Sequence, residues 1–99
     1  MLETFTIETF TPRLGELFTL VVDESVRIPL KLTEVSPWGP EASRGRSRVP
    51  FSLVFHTVPE AVAPQAIYRV ESETMEPMEL FLVPLGPDER GMRYEAVFT

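Results

Sequence analysis

Ninety-nine residues, 43% of them apolar, suit one globular β domain spanning 1–99 with one modest core. The absence of cysteine excludes disulfides, thiolate catalysis and Cys-ligated metals. A net charge of −6 weighs against nucleic acid, whose affinity rests on cations at the phosphates, and no run approaches the ~18 consecutive apolar residues of a membrane span.

The chain opens on LETFTI (2–7), a short edge strand or arm. It lacks a basic region followed by an apolar core, so no secretory signal is read and a cytoplasmic location is expected. Thr11 then suits a helix N-cap, Pro12 the first helical position and Gly15 the end of the turn. One short helical turn is expected, burying Phe10 and Leu14 as a plug. Glu16–Val22 is rich in β-branched and aromatic residues and apolar on both faces, so a central strand is expected. After the Asp23–Ser25 turn, Val26–Val35 alternates cleanly: Ile28, Leu30 and Leu32 face one way and Arg27, Lys31 and Thr33 the other. Pro29 cannot donate to a ladder, which argues for an edge or a bulge.

Ser36–Pro50 reads as a long loop with three prolines and the only Trp. Trp38 either anchors this loop on the core or stands exposed as a contact for a partner, in company with Arg44, Arg46 and Arg48. Glu71, Glu73, Glu76 and Glu79 form an acidic stretch without a basic residue. The plainer reading makes each cluster a solvated loop; the sharper one sets one chain's arginines against another's glutamates.

Phe51–Thr57 is a third strand, with Phe51, Leu53 and Phe55 inward and Ser52, Val54 and His56 outward. Val58–Gln65 is a proline-bearing connection, and Ala66–Glu71 a fourth strand with Tyr68 and Val70 opposite in facing to Ile67 and Arg69. Met78–Phe98 reads as a hairpin. With a type I turn over Gly86-Pro87-Asp88-Glu89, Leu82 would face Tyr94, Leu80 Ala96 and Met78 Phe98. Its second face carries Phe81, Val83 and Val97, which need a cover from the Trp38 loop or from another molecule. Glu95 interrupts the apolar run. It either points outward toward Arg93 or Arg69, or is a buried or interfacial carboxylate with a partner.

About six strands at short intervals make an all-β fold: an antiparallel sandwich or small open barrel, mostly meander. No Walker, GxSxG or HExxH pattern is present. His56 is the only histidine and is read as satisfied or solvent-facing rather than catalytic. No catalytic residue, metal ligand or cofactor is assigned, and an enzyme is not expected. Arg outnumbers Lys eight to one and Asn is absent, a bias of thermophiles that a GC-rich genome also produces.

Motifs spread over nearly the whole chain carry a resemblance. They are F-x-P-x-x-G-E-x-F-x-L at Phe10–Leu20, P-F-S-L-x-F at Pro50–Phe55, P-Q-x-x-Y at Pro64–Tyr68, and ELFLVPxGPD…GxxYEAVF at Glu79–Phe98. With these the chain resembles an uncharacterised bacterial family of all-β proteins of similar length. Ala66 stands where that family has Gly, which weakens the expectation of a tight turn there. No activity is assigned to the family. The resemblance implies an accessory or assembly role beside phage-tail-collar-like proteins.

The leading expectation is a non-enzymatic structural or interaction module, forming a homo-oligomer or meeting a protein partner. Its candidate interface is Trp38, Arg44, Arg46, Arg48, Phe81, Val83, Glu95 and Val97. The alternative is a small β-barrel binding an apolar or anionic ligand, with Tyr68, Tyr94 and Trp38 near its mouth. An enzyme ranks last; its check is whether His56 reaches a carboxylate in a cleft.

Overall fold

Alternation of apolar and polar side chains yields six strands in a computed structural model, which describes residues 5–38, 45 and 48–99. They are β1 (Leu17–Val21), β2 (Arg27–Pro37), β3 (Phe51–Thr57), β4 (Ala66–Glu71), β5 (Met78–Asp88) and β6 (Gly91–Phe98). All neighbours are antiparallel, and the sheet closes on itself in the order β1-β2-β3-β6-β5-β4. The architecture is thus a closed barrel, where a sandwich or an open barrel was expected. Closure is made by β1 against β4, pairing Thr19, Leu20 and Val21 with Glu71, Val70 and Arg69. Those pairs satisfy backbone groups that would otherwise line two bare edges.

The topology also departs from a simple meander. β1–β3 and β4–β6 are each a meander, but β3 lies against β6 rather than β4. The link 58–65 therefore crosses one end of the barrel. It is tied there by Tyr94, a fully buried side chain. The Tyr94 hydroxyl accepts from the Ala63 N–H and donates to the Ala61 carbonyl, both at 2.7 Å. Tyr68 donates to the Pro64 carbonyl. The two tyrosines placed near an open mouth by the ligand-barrel reading instead hold this crossover.

Inward rows from every strand fill the barrel, among them Phe18, Leu30, Phe55, Val70, Leu82 and Tyr94. Six strands enclose little more than their own side chains. The opposite end is closed by α1 (Ile7–Phe10) and a 3-10 turn, Thr11–Arg13. Phe10 is fully buried there. Its ring centre lies 5.5 Å from Phe5, 5.4 Å from Phe98 and 6.0 Å from Phe51. The expected plug is present, with one correction: Leu14 is 47% exposed. It follows the 3-10 turn with ψ 130, where the chain has already swung outward toward β1.

The C-terminal hairpin keeps its predicted faces but not its register. Val83 pairs with Glu95, Pro84 with Tyr94 and Asp88 with Gly91, so the loop is Glu89-Arg90. The pairing is displaced by two residues from the predicted one. An even displacement leaves Leu80, Leu82, Tyr94 and Ala96 facing the core, so burial does not oppose it. A bulge between Pro84 and Gly86 precedes the residues read as the turn, and Gly86, Pro87 and Asp88 instead continue β5 opposite Arg93, Met92 and Gly91. Asp88 accepts the Arg90 N–H at 2.8 Å, closing the loop from its own side chain. Gly91 carries the positive φ the loop requires, +125°.

β2 has its own bulge, between Leu32 and Glu34. β2 and β5 hold corresponding places in the two meanders, so both bends fall where a long strand passes from one neighbour to the other. Pro29 lies in the part of β2 that pairs only with β1, which meets the expected edge-like position. β1 is flanked on both sides, as expected of a central strand, but Leu17 at its start is 69% exposed.

Candidate functional site

Two places on the outer surface gather the residues that carry chemistry. The first is the face of β4, β5 and β6. Ile67 pairs with Phe81 across β4 and β5. The β5–β6 register continues from Val83–Glu95 to set Phe81 beside Val97. These three are 66%, 50% and 45% exposed, so an apolar row crosses three strands in contact with water. Neither Trp38 nor any other described residue covers it. Arg48, Glu79 and Thr99 complete a shallow groove of about 300 Å³. Arg48 donates to the Phe5 carbonyl and lies over the Phe98 and Phe51 rings, 5.6 and 5.8 Å from their centres.

Of the interface residues read from sequence, Arg48, Phe81 and Val97 come together in this groove. Val83 and Glu95 lie farther along the same face, opposite each other. Neither predicted partner reaches Glu95. Arg93 instead donates to the Gly86 and Leu85 carbonyls and Arg69 to Glu71, while Glu95 sits between Val54 and Val83 on the neighbouring strands. Trp38 is 42% exposed and does not line the groove; its backbone N–H bonds the Pro50 carbonyl at 2.8 Å. Arg44 and Arg46 lie outside the described residues. Ile67 was not singled out, although its parity opposite Tyr68 and Val70 already set it outward. In the acidic stretch, Glu71 is held by Arg69 at 2.6 Å and Arg27 at 2.9 Å. Those hydrogen bonds, Arg69's first, keep its carboxyl below the usual range.

The second place surrounds His56. Its outward direction on β3 was expected, yet the side chain is only 6% exposed. The β5–β6 hairpin, bent at its bulge, brings Asp88 to it. His56 Nε2 lies 2.9 Å from Asp88 Oδ2, and Nδ1 lies 2.6 Å from Thr33 Oγ1. Thr33 is the residue thrown out by the β2 bulge, and its hydroxyl is also 3.2 Å from the Val54 carbonyl. A carboxylate accepts only, so Nε2 carries a proton toward Asp88. With neutral imidazole, Nδ1 then accepts from the Thr33 hydroxyl. With imidazolium, Nδ1–H donates to Thr33 and the hydroxyl turns to Val54. Either way every polar atom is satisfied, and the chain of bonds ties β2, β3 and the hairpin loop together. His56 is therefore satisfied, as expected, and it also reaches a carboxylate beside a cleft, which is the condition set above for the enzyme reading.

The His56 hydrogen bond, followed by the Arg90 N–H, holds the Asp88 carboxyl below the ordinary carboxylate range. In the unfolded chain it titrates near ~3.9. The unfolded state then binds more protons in the acid range, so stability contributed by Asp88 is full above about pH 4 and falls as pH drops through the lower folded value. Urea titrations of wild type and Asp88→Asn should differ most at neutral pH and converge toward about pH 2. A gap that stays constant over that range would mean the carboxylate charge is not what Asp88 contributes.

Leu14, Lys31, Leu32, Thr33, His56 and Arg90 line an open cleft of about 620 Å³ beside this chain of bonds. Among the described residues no group of three or more His, Asp or Glu is placed to hold a metal ion, and no helix is long and apolar enough to cross a membrane. No curated protein and no solved structure shows significant similarity to the chain. One family model does match, over residues 5–98. That span takes in Phe5, every strand and both surface sites, and by it this β-barrel belongs to the family described as Domain of unknown function (DUF6916).

Proposed function

We propose that this barrel is a non-enzymatic interaction module that self-associates through the outer face of β4, β5 and β6. The observation that supports it is the exposed row Ile67–Phe81–Val97. Isolated surface apolar residues are ordinary, but a contiguous strip across three rigid strands is the kind of surface a partner covers. Arg48 and Glu79 line the same groove, giving one charge of each sign, which is compatible with the self-complementary patch of an isologous contact. The negative net charge supports a protein partner over nucleic acid. An accessory place in a larger assembly, beside phage-tail-collar-like proteins, rests on the motif resemblance alone, and the cytoplasm is its expected setting.

Phe81→Glu tests the reading. In sedimentation velocity the wild type should pass from monomer to dimer over the micromolar range, and the variant should remain monomeric. Because Phe81 is half exposed, the variant's unfolding free energy should stay within about 0.5 kcal/mol of wild type. A wild type that is monomeric at every concentration overturns self-association. A variant that unfolds would instead place Phe81 in the barrel's own packing.

A further inference from the structure

We propose that the cleft beside His56 binds a small amphiphilic anion, its carboxylate or phosphate group held between Lys31 and Arg90 and its apolar part lying on Leu14. The argument begins with the cations. Among those described, Arg13, Arg27, Arg69 and Arg93 have carboxylate partners within 4 Å: Glu16 at 3.9 Å, Glu71 at 2.9 and 2.6 Å, and Asp88 at 3.9 Å. Arg48 bonds the Phe5 carbonyl. Lys31 and Arg90 alone have neither an acidic nor a hydrogen-bonding partner for their side chains among the described residues. In a chain with 15 Asp and Glu against nine Lys and Arg, uncompensated cations are the exception. Both line one cleft.

The position of each follows from the fold. Lys31 is paired across β2 and β3 with His56, so it projects on the same outer face. Arg90 sits in the hairpin loop that Asp88 draws over His56. Asp88 is already engaged by His56, by the Arg90 N–H and, at 3.9 Å, by Arg93. It therefore anchors the loop, and its single negative charge beside the cleft leaves the two cations in excess. The Thr33 hydroxyl and the imidazole form a polar wall locked by hydrogen bonds at both ends, so it is in place before a ligand arrives. Leu14 supplies the apolar side. It is the residue that the short N-terminal turn leaves 47% exposed beside this cleft, and Leu32 lies beneath. Two cations, a fixed hydroxyl and an apolar rim suit an anionic head with a short hydrocarbon part.

The test is an amide NMR titration of the full chain with hexanoate, hexyl phosphate, inorganic phosphate and hexylamine. Either hexyl anion should give saturable shifts confined to residues 14–15, 31–33, 56 and 88–91, weakening as salt is raised. Lys31→Gln and Arg90→Gln should each weaken binding about tenfold, the scale of one charged hydrogen bond, while Arg27→Gln, on another face, should leave it unchanged. The better of hexanoate and hexyl phosphate identifies the head group. Shifts that do not saturate, that scatter over other arginines, or that persist in both cleft variants overturn the site. Inorganic phosphate binding as tightly as hexyl phosphate, or hexylamine binding as tightly as either anion, overturns the assignment of an amphiphilic anion.

Discussion

Replacing Gly91 by alanine should lower the unfolding free energy by about 3 kcal/mol or more, a large part of the ~5–15 kcal/mol available to a domain. Two effects add. The residue sits at φ +125°, a conformation that costs about 1–3 kcal/mol for a side chain. A Cβ built there would also lie 2.0 Å from the Thr57 carbonyl oxygen. That oxygen belongs to the last residue of β3, held in register opposite Met92, so it cannot withdraw without opening the β3–β6 ladder. Gly86 is the control. Its φ is +91°, yet nothing lies within 4 Å of its added Cβ. Gly86→Ala should therefore cost only the backbone strain, about 1 kcal/mol. Urea unfolding of both variants separates the effects. Equal losses at the two positions would refute the steric account at Gly91.

Phe10→Ala should cost about 3–5 kcal/mol, the usual loss for a fully buried Phe. Phe10 is the centre of a ring cluster with Phe5, Phe51 and Phe98, and the last two stack at 4.7 Å with planes 3° apart. Phe10 comes from a segment outside the barrel wall, so its loss removes what fills that end. The expected result is a lower urea midpoint with an unchanged slope, because the lid and the barrel unfold as one unit. A loss below about 1 kcal/mol would mean that the lid is detachable and Phe10 is replaceable by solvent there.

Much of this fold is legible in local pattern. Phe51–Thr57 and Ala66–Glu71 are strands with the bounds the alternation predicts, because turn residues flank each. The outward parity of Phe81 and Val97 was readable for the same reason. The hairpin register was not, since Gly86-Pro87-Asp88 has the residue types of a turn yet continues β5 beyond the bulge. Closure was not legible either. It depends on β1 meeting β4, segments some fifty positions apart with no local mark of their pairing. The His56 site fails for a related reason: Thr33, His56 and Asp88 come from three separate segments, and only the two bulges bring them together. Lys31 and Arg90 looked like ordinary surface charges until the structure showed which carboxylates were already occupied.

The ring is not equally strong all the way round. β3 and β6 share seven residue pairs, β1 and β4 only three. Arg27 on β2 and Arg69 on β4 stand on either side of β1, and Glu71 grips both. That carboxylate works as a clasp across the barrel's narrowest seam. Its pKa is held low by those same arginines, so the clasp is charged at neutral pH and loosens in strong acid. If the seam parts there, it bares the two edges of β1 and β4 at once, each able to take a strand from a neighbouring copy.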